Sequence, residues 1–173
     1  MELKSLIRTV PDFPKKGIMF RDITTLLKDK NGLNYALEEL YNLSKTKKIT
    51  KVVGIESRGF ILGGALAIKL GAGFVPIRKP GKLPAPSISE SYILEYGVDS
   101  IEIHKDAIQP GDTVLLHDDL LATGGTMNAA CKLIENLGGK VEQISFLIEL
   151  AFLKGREKLS RYEVHSLIQY DEE

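Results

Sequence analysis

The stretch from Thr113 to Thr126 reads T-V-L-L-H-D-D-L-L-A-T-G-G-T. A β-branched and apolar run leads into two adjacent carboxylates, Asp118 and Asp119. A loop of small residues follows (Ala122, Thr123, Gly124, Gly125 and Thr126), then a helical pattern from Met127. The pattern is that of a buried strand that delivers acids at its carboxyl end and opens through a phosphate-sized loop onto a helix N-terminus. Unpaired N–H groups and the positive end of the helix dipole attract an anion there. Carboxylates repel phosphate, so the acids serve another partner: hydroxyls, which donate to them, or a divalent cation. A ribose phosphate meets both halves, with its 5-phosphate in the loop and its 2- and 3-hydroxyls on the acids. The backbone must approach the anion closely, which makes Gly125 a position limited by size. No Gly-Lys-Ser/Thr closes the loop as in a P-loop, and the G-x-G-x-x-G spacing of a dinucleotide turn is absent.

The elements that must position this loop alternate strand and helix, which favours an α/β fold with a mostly parallel sheet covered on both faces. Leu33, Ala36, Leu37, Leu40 and Tyr41 keep helical spacing, Lys51 to Ile55 is a short β-rich run, and Leu62, Ala65, Leu66 and Lys69 predict a helix that Gly71 stops. Gly73 to Arg78 reads as the next strand. Met127, Ala130, Ile134 and Leu137 mark a helix ended by Gly138-Gly139, ahead of the apolar run Val141 to Leu150. Between Lys79 and Ser91 the chain becomes K-P-G-K-L-P-A-P-S-I-S-E-S, a loop by composition. A segment of that length is either a functional lid or a solvated insertion. Beyond it, Tyr92 to Tyr96 and Ser100 to His104 are expected to pair as a hairpin around Gly97-Val98-Asp99.

With 173 residues, 43% of them hydrophobic, the chain supports one domain, residues 1–173, with a real core. No stretch is long or apolar enough to span a membrane, and no apolar leader is visible, so a cytoplasmic protein without a membrane partner is expected. The 23 basic and 23 acidic residues balance, which argues against a nucleic-acid surface held by bulk charge. Cys131, the single cysteine, excludes an internal disulfide and is expected on the inner face of its helix as an inert thiol. His104, His117 and His165 lack ligand spacing.

The D-D-L-L-A-T-G-G-T segment resembles the phosphoribosyl-diphosphate signature of the type I phosphoribosyltransferases. Four further segments narrow the resemblance: P-D-F-P-K-K-G-I-M-F-R-D-I-T-T-L-L (Pro11 to Leu27), G-I-E-S-R-G-F (Gly54 to Phe60), R-K-P-G-K-L-P with S-Y-I-L-E-Y-G up to Gly97, and L-K-G-R-E-K-L (Leu153 to Leu159). In collinear order from Pro11 to Tyr170, they look like the adenine phosphoribosyltransferase family. F-R-D-I and L-E-Y-G are not general to the hypoxanthine, orotate and uracil relatives. His117 departs from the pattern, which usually has an aliphatic residue there; it reads as a strand-end side chain facing solvent.

The resemblance implies the type I fold, with a short N-terminal base-binding segment (1–34) and a flexible lid and hairpin (79–104). It implies that adenine attacks C1 of 5-phospho-α-D-ribose 1-diphosphate to give AMP and diphosphate, in a homodimer, with Mg²⁺ carried by the substrate and no direct metal ligand on the protein. Asp118, Asp119 and the loop Ala122 to Thr126 would bind the phosphoribosyl group. The Glu56-Ser57-Arg58 turn, a peptide of unusual geometry in the family, would bind diphosphate, joined by Lys79 and Lys82. The two lysines need that charge as their partner, so the lid is expected to close only over bound diphosphate. Phe20 would offer its face and Arg21 its backbone to adenine, and Glu95 would be the acid/base residue. From the residues alone, Glu56 and Arg58 read equally as a surface ion pair, Phe20 as core, and Glu95 as one polar position of an alternating strand. Two other functions remain open on sequence: transfer to another purine base, hypoxanthine or guanine, and a non-catalytic sensor of the ribose diphosphate.

Overall fold

In the computed structural model, which describes residues 1–94 and 97–173, a short antiparallel ribbon opens the chain: β1, Arg8–Val10, pairs with β2, Phe20–Asp22. A single turn of helix, α1 (Thr24–Leu27), precedes α2 (Lys30–Ser44), whose first turn is capped by Asp29 accepting from the Gly32 N–H at 2.7 Å. Then come β3 (Lys51–Ile55), α3 (Gly59–Leu70) and β4 (Gly73–Ile77), with Gly71 in the left-handed region ending α3 as its position predicts. A long hairpin, β5 (Ser87–Leu94) and β6 (Gly97–His104), is followed by β7 (Thr113–Leu121), α4 (Gly125–Asn136), β8 (Lys140–Leu150) and β9 (Val164–Tyr170). Two short 3₁₀ turns, Ala151–Leu153 and Gly155–Leu159, join the last two strands.

The central sheet has the order β4-β3-β7-β8-β9 and is parallel throughout. Both faces are covered, so its strands are nearly continuous apolar runs. On one face Leu115, Leu147 and Ile148 pack with Ala36 and Leu40 of α2 and Leu62 and Leu66 of α3. On the other, Leu116, Ile144 and Phe146 pack with α4 and with Tyr92, Ile101 and Ile103 of the hairpin; Cys131 lies in this second core, and burial pushes its thiol up to about 12.

This order fixes the place of a site. From β3 the chain crosses through α3 to β4 on one side; from β7 it crosses through α4 to β8 on the other, with the two helices on opposite faces. The carboxyl ends of β3 and β7 therefore part at a topological switch point, which leaves a crevice between their following loops. Those loops are Glu56–Arg58 and Ala122–Gly124.

One boundary differs from the expected one. The irregular segment ends at Pro86, because Ser87–Ser91 pairs with Ser100–His104 and extends the hairpin. Val98 and Asp99 lie within β6, opposite Ile93 and Tyr92, instead of forming a turn with Gly97. Ile88 and Tyr92 alternate inward while Ser89, Ser91 and Ile93 face out. Serine at the outward positions made a strand read as loop.

Candidate active site

The crevice is a cleft of about 390 Å³ lined by Ile55, the Glu56–Arg58 turn, Lys79, Asp118, Asp119, Leu120 and Thr126. A smaller hollow of about 80 Å³ continues from it, bounded by Asp118 and the loop from Ala122 to Thr126. Sequence-distant groups thus converge: the turn after β3, the acids of β7 and the N-terminus of α4. Gly124, at φ +81°, precedes α4, so the first N–H groups of the helix open onto the small hollow.

The two acids are held differently. Asp119 is buried and accepts the Arg58 Nε–H in an ion pair. Asp118 accepts the Asp119 N–H at 2.9 Å. Enclosure pushes the Asp118 carboxyl well above the usual carboxylate range, and the neighbouring Asp119 charge pushes it the same way. A donor entering the cleft, such as a sugar hydroxyl, would relieve that crowding. The peptide between Glu56 and Ser57 is cis.

Glu56 and Arg58 do not pair with each other. Glu56, almost enclosed, accepts from the Lys79 N–H and from Lys82 Nζ at 2.6 Å, with Arg78 Nε 3.8 Å away. Burial works against its charge, but the bonds from Lys82 and the Lys79 amide outweigh it and hold the carboxyl below its usual range. Lys79 Nζ is bound to Asp99 and lies 2.8 Å from Tyr92 Oη. Burial opposes its charge too, yet Asp99 and Tyr92 raise its pKa. Both lysines therefore already have partners, contrary to the expectation that they need the diphosphate as one. An incoming anion must compete with Glu56 and Asp99.

On the N-terminal ribbon, Phe20 is half-buried, meets Phe13 edge-on with centroids 5.0 Å apart, and lies under the Arg58 guanidinium at 5.5 Å. Arg21 donates from Nη1 to Thr9 Oγ1 at 2.6 Å and stacks over Tyr170 at 4.1 Å, which ties the ribbon to β9. Glu95 lies outside the described residues. His117 is fully buried instead of solvent-facing: it points toward α3 beside Gly63, with Nδ1 3.0 Å from Ser145 Oγ. The alternation of β7 puts it on the same face as Asp119, inside the covered sheet.

The family model of the phosphoribosyl transferase domain matches residues 22–168. The adenine phosphoribosyltransferase of Halothermothrix orenii is 62% identical over 169 residues, 98% of this chain and 99% of its own. This chain belongs to the adenine phosphoribosyltransferase family. Among solved members of that family, the Thermoanaerobacter pseudethanolicus protein matches with a TM-score of 0.95 at 55% identity, covering 98% of each chain. The Saccharomyces cerevisiae protein, solved with adenine and D-2,5-dideoxy-2,5-imino-altritol 1,6-bisphosphate, matches with a TM-score of 0.88 at 42% identity, over 95% of this chain and 96% of its own.

Three contributors to this adenine phosphoribosyltransferase cleft escaped the sequence reading. Asp99 and Tyr92 hold Lys79 from the hairpin, and Gly155 backs the loop from behind: a Cβ on it would overlap the Ala122 carbonyl oxygen and stand 3.0 Å from Gly124 N. The available signal was Gly-Arg in L-K-G-R, a glycine directly after a left-handed Lys154.

Proposed function

We propose that the chain salvages adenine, transferring the 5-phosphoribosyl group of 5-phospho-α-D-ribose 1-diphosphate to a purine ring nitrogen with release of diphosphate, to give AMP. The observation that carries this reading is the full-length kinship to adenine phosphoribosyltransferases together with one crevice that joins an anion-binding loop, an acid pair and a cation-rich turn. The bond from C1 to the diphosphate breaks as the bond to nitrogen forms, so positive charge gathers on the ribose and negative charge on the leaving group. Positioning and charge neutralisation are then the main demands on the protein.

In this reading the N–H groups of Ala122–Thr126 hold the 5-phosphate, and Asp118 and Asp119 accept from the ribose hydroxyls. The Glu56-Ser57-Arg58 turn binds the diphosphate through its backbone, with Arg58 moving from Asp119 and Lys79 and Lys82 moving from their carboxylates. Glu56 serves as the resting partner of Lys82 and the anchor of the lid root. Phe20 supplies a face for the adenine ring. Strand β2 pairs only with β1 among the described residues, so its outer edge, at Arg21, is available to the base edge. Glu95 handles the purine proton, as the family resemblance implies.

The donor set suits a Mg²⁺ that arrives with its substrate: among the described residues no three His, Cys, Asp or Glu cluster, and Asp119 is engaged by Arg58. Asp118 and Asp119 would stand behind its substrate oxygens, and the ion would supply positive charge to the diphosphate. A cytoplasmic homodimer completes the reading. It is supported by an apolar stripe on α3, with Ile61 and Ile68 exposed and Gly64 and Ala65 half-buried between them, and by the exposed Phe74 on the edge strand. Diphosphate release measured with adenine, hypoxanthine and guanine at equal concentration tests the reaction: adenine should support release and the others little. Release with hypoxanthine or guanine but not adenine would overturn it.

A further inference from the structure

Behind the phosphate loop lies an ion pair, its acid buried and its arginine partly exposed, that the reaction does not use. Glu149, at the carboxyl end of β8, is in register with Leu121, the last residue before the loop. It is almost fully enclosed, and Arg156 reaches it with both arms of the guanidinium, Nε donating to Oε1 at 3.0 Å and Nη2 donating to Oε2. The same guanidinium donates to the Val164 carbonyl at 2.6 Å and to Ser166 Oγ at 3.2 Å, and Ser166 Oγ donates back to Glu149 Oε2 at 2.5 Å. Arg156 thus bridges the ends of β8 and β9 and locks the 3₁₀ turn Gly155–Leu159 across them. A planar guanidinium with several fixed donors suits such a bridge in a way that an ammonium does not.

The residue next to this bridge, Gly155, touches the loop itself. Its backbone fills the place where a Gly124 Cβ would go, and there is no room for a Cβ of its own against Ala122 and Gly124. No left-handed φ is required at Gly155, so its lack of a side chain reflects contact alone. Loop and turn are fitted backbone to backbone, and where the turn sits decides where the loop's N–H groups point.

We propose that Glu149 and Arg156 are positioning residues for the phosphate loop, acting through Gly155 on Ala122–Gly124. The inference rests on the assignment of that loop to the 5-phosphate. Loosening the bridge should degrade phosphate recognition while leaving the base subsite on the N-terminal ribbon alone. Buried groups that orient a binding loop commonly matter nearly as much as the groups that touch the ligand.

Calorimetry with ribose 5-phosphate and, separately, steady-state kinetics with each substrate provide the test. Replacing Arg156 with Ala leaves the buried Glu149 charge unpaired and endangers folding. The decisive variant is therefore Glu149→Gln with Arg156→Gln, which leaves neither charge behind. It should bind ribose 5-phosphate about tenfold more weakly and raise KM for the ribose diphosphate by a similar factor, with KM for adenine within about twofold. Arg156→Lys should fall between this variant and the wild type, and Gly155→Ala should reproduce the phosphate defect with the ion pair intact. Wild-type ribose 5-phosphate affinity in the double variant would overturn the proposal, as would an equal loss for adenine and phosphate, the mark of general destabilisation. If the wild type itself binds no ribose 5-phosphate, the assignment of the loop fails instead.

Discussion

His117 lies two residues before Asp119 on the covered face of β7, and its surroundings make it a pH-dependent element of stability. Burial, the largest cause, lowers its pKa from 6.5 to about 4, and only the Asp119 charge and the bond to Ser145 oppose this. Between those values the unfolded chain binds a proton that the folded chain refuses. The stabilising contribution is therefore present above about pH 6.5 and is lost as pH falls toward 4. At about 1.36 kcal/mol per pH unit the loss is on the order of 3 kcal/mol by pH 4. His117→Leu should flatten the decline of the thermal midpoint between pH 6.5 and 4.5; an unchanged pH slope would remove His117 as its source. The acids and the Thr-Gly-Gly-Thr loop were legible in the sequence because they are contiguous. The partners of Arg58 and Lys79 were not. Asp119 lies 61 residues from Arg58, and the side chains holding Lys79 come from a hairpin whose register sequence spacing does not specify.

At the scale of elements, the loop between β7 and α4 separates two glycines that look alike in sequence. Gly124 has φ +81°, and its missing Cβ would overlap the Gly155 carbonyl; the Cβ position of Gly125 looks toward Tyr92 at 3.4 Å, an ordinary contact distance. The protein itself thus excludes a side chain at Gly124, while at Gly125, which also lines the phosphate-sized hollow, a Cβ meets only the hairpin and at contact distance. Gly124→Ala should weaken AMP binding about tenfold or more, because the left-handed backbone and the overlap both force the loop to move. Gly125→Ala should stay within about threefold of wild type. Calorimetry with AMP separates the two, and equal losses would contradict the geometry. The strands and helices of the sheet were readable from period and capping: α2, β3, α3 and α4 lie where their apolar spacing puts them. Strand β5 was hidden because the hairpin packs one face only and shows serines on the other, so composition there reports solvent exposure and not backbone conformation.

At the scale of the whole molecule, a parallel sheet with helices on opposite faces dictates a crevice between β3 and β7, and every residue of the candidate cleft except Lys79, which follows β4, comes from the carboxyl ends of those two strands or the segments after them. Helix α3, which starts directly after the Glu56–Arg58 turn, is apolar nearly all round, with Ile68 83% exposed. A second copy covering that stripe would bring the interface within one turn of Arg58. Light scattering at micromolar concentration should give twice the 19.1 kDa chain mass, and Ile68→Glu should return the single-chain value. A wild-type monomer, or an Ile68→Glu dimer, would reject the stripe as the contact. The central claim is that one crevice holds the whole phosphoribosyl group, and a crystal structure with AMP tests it most directly. The 5-phosphate should sit against the N–H groups of Ala122–Thr126, with the ribose hydroxyls on Asp118 and Asp119 and the base over Phe20. AMP bound elsewhere, or with its phosphate at the Glu56–Arg58 turn, would contradict the account.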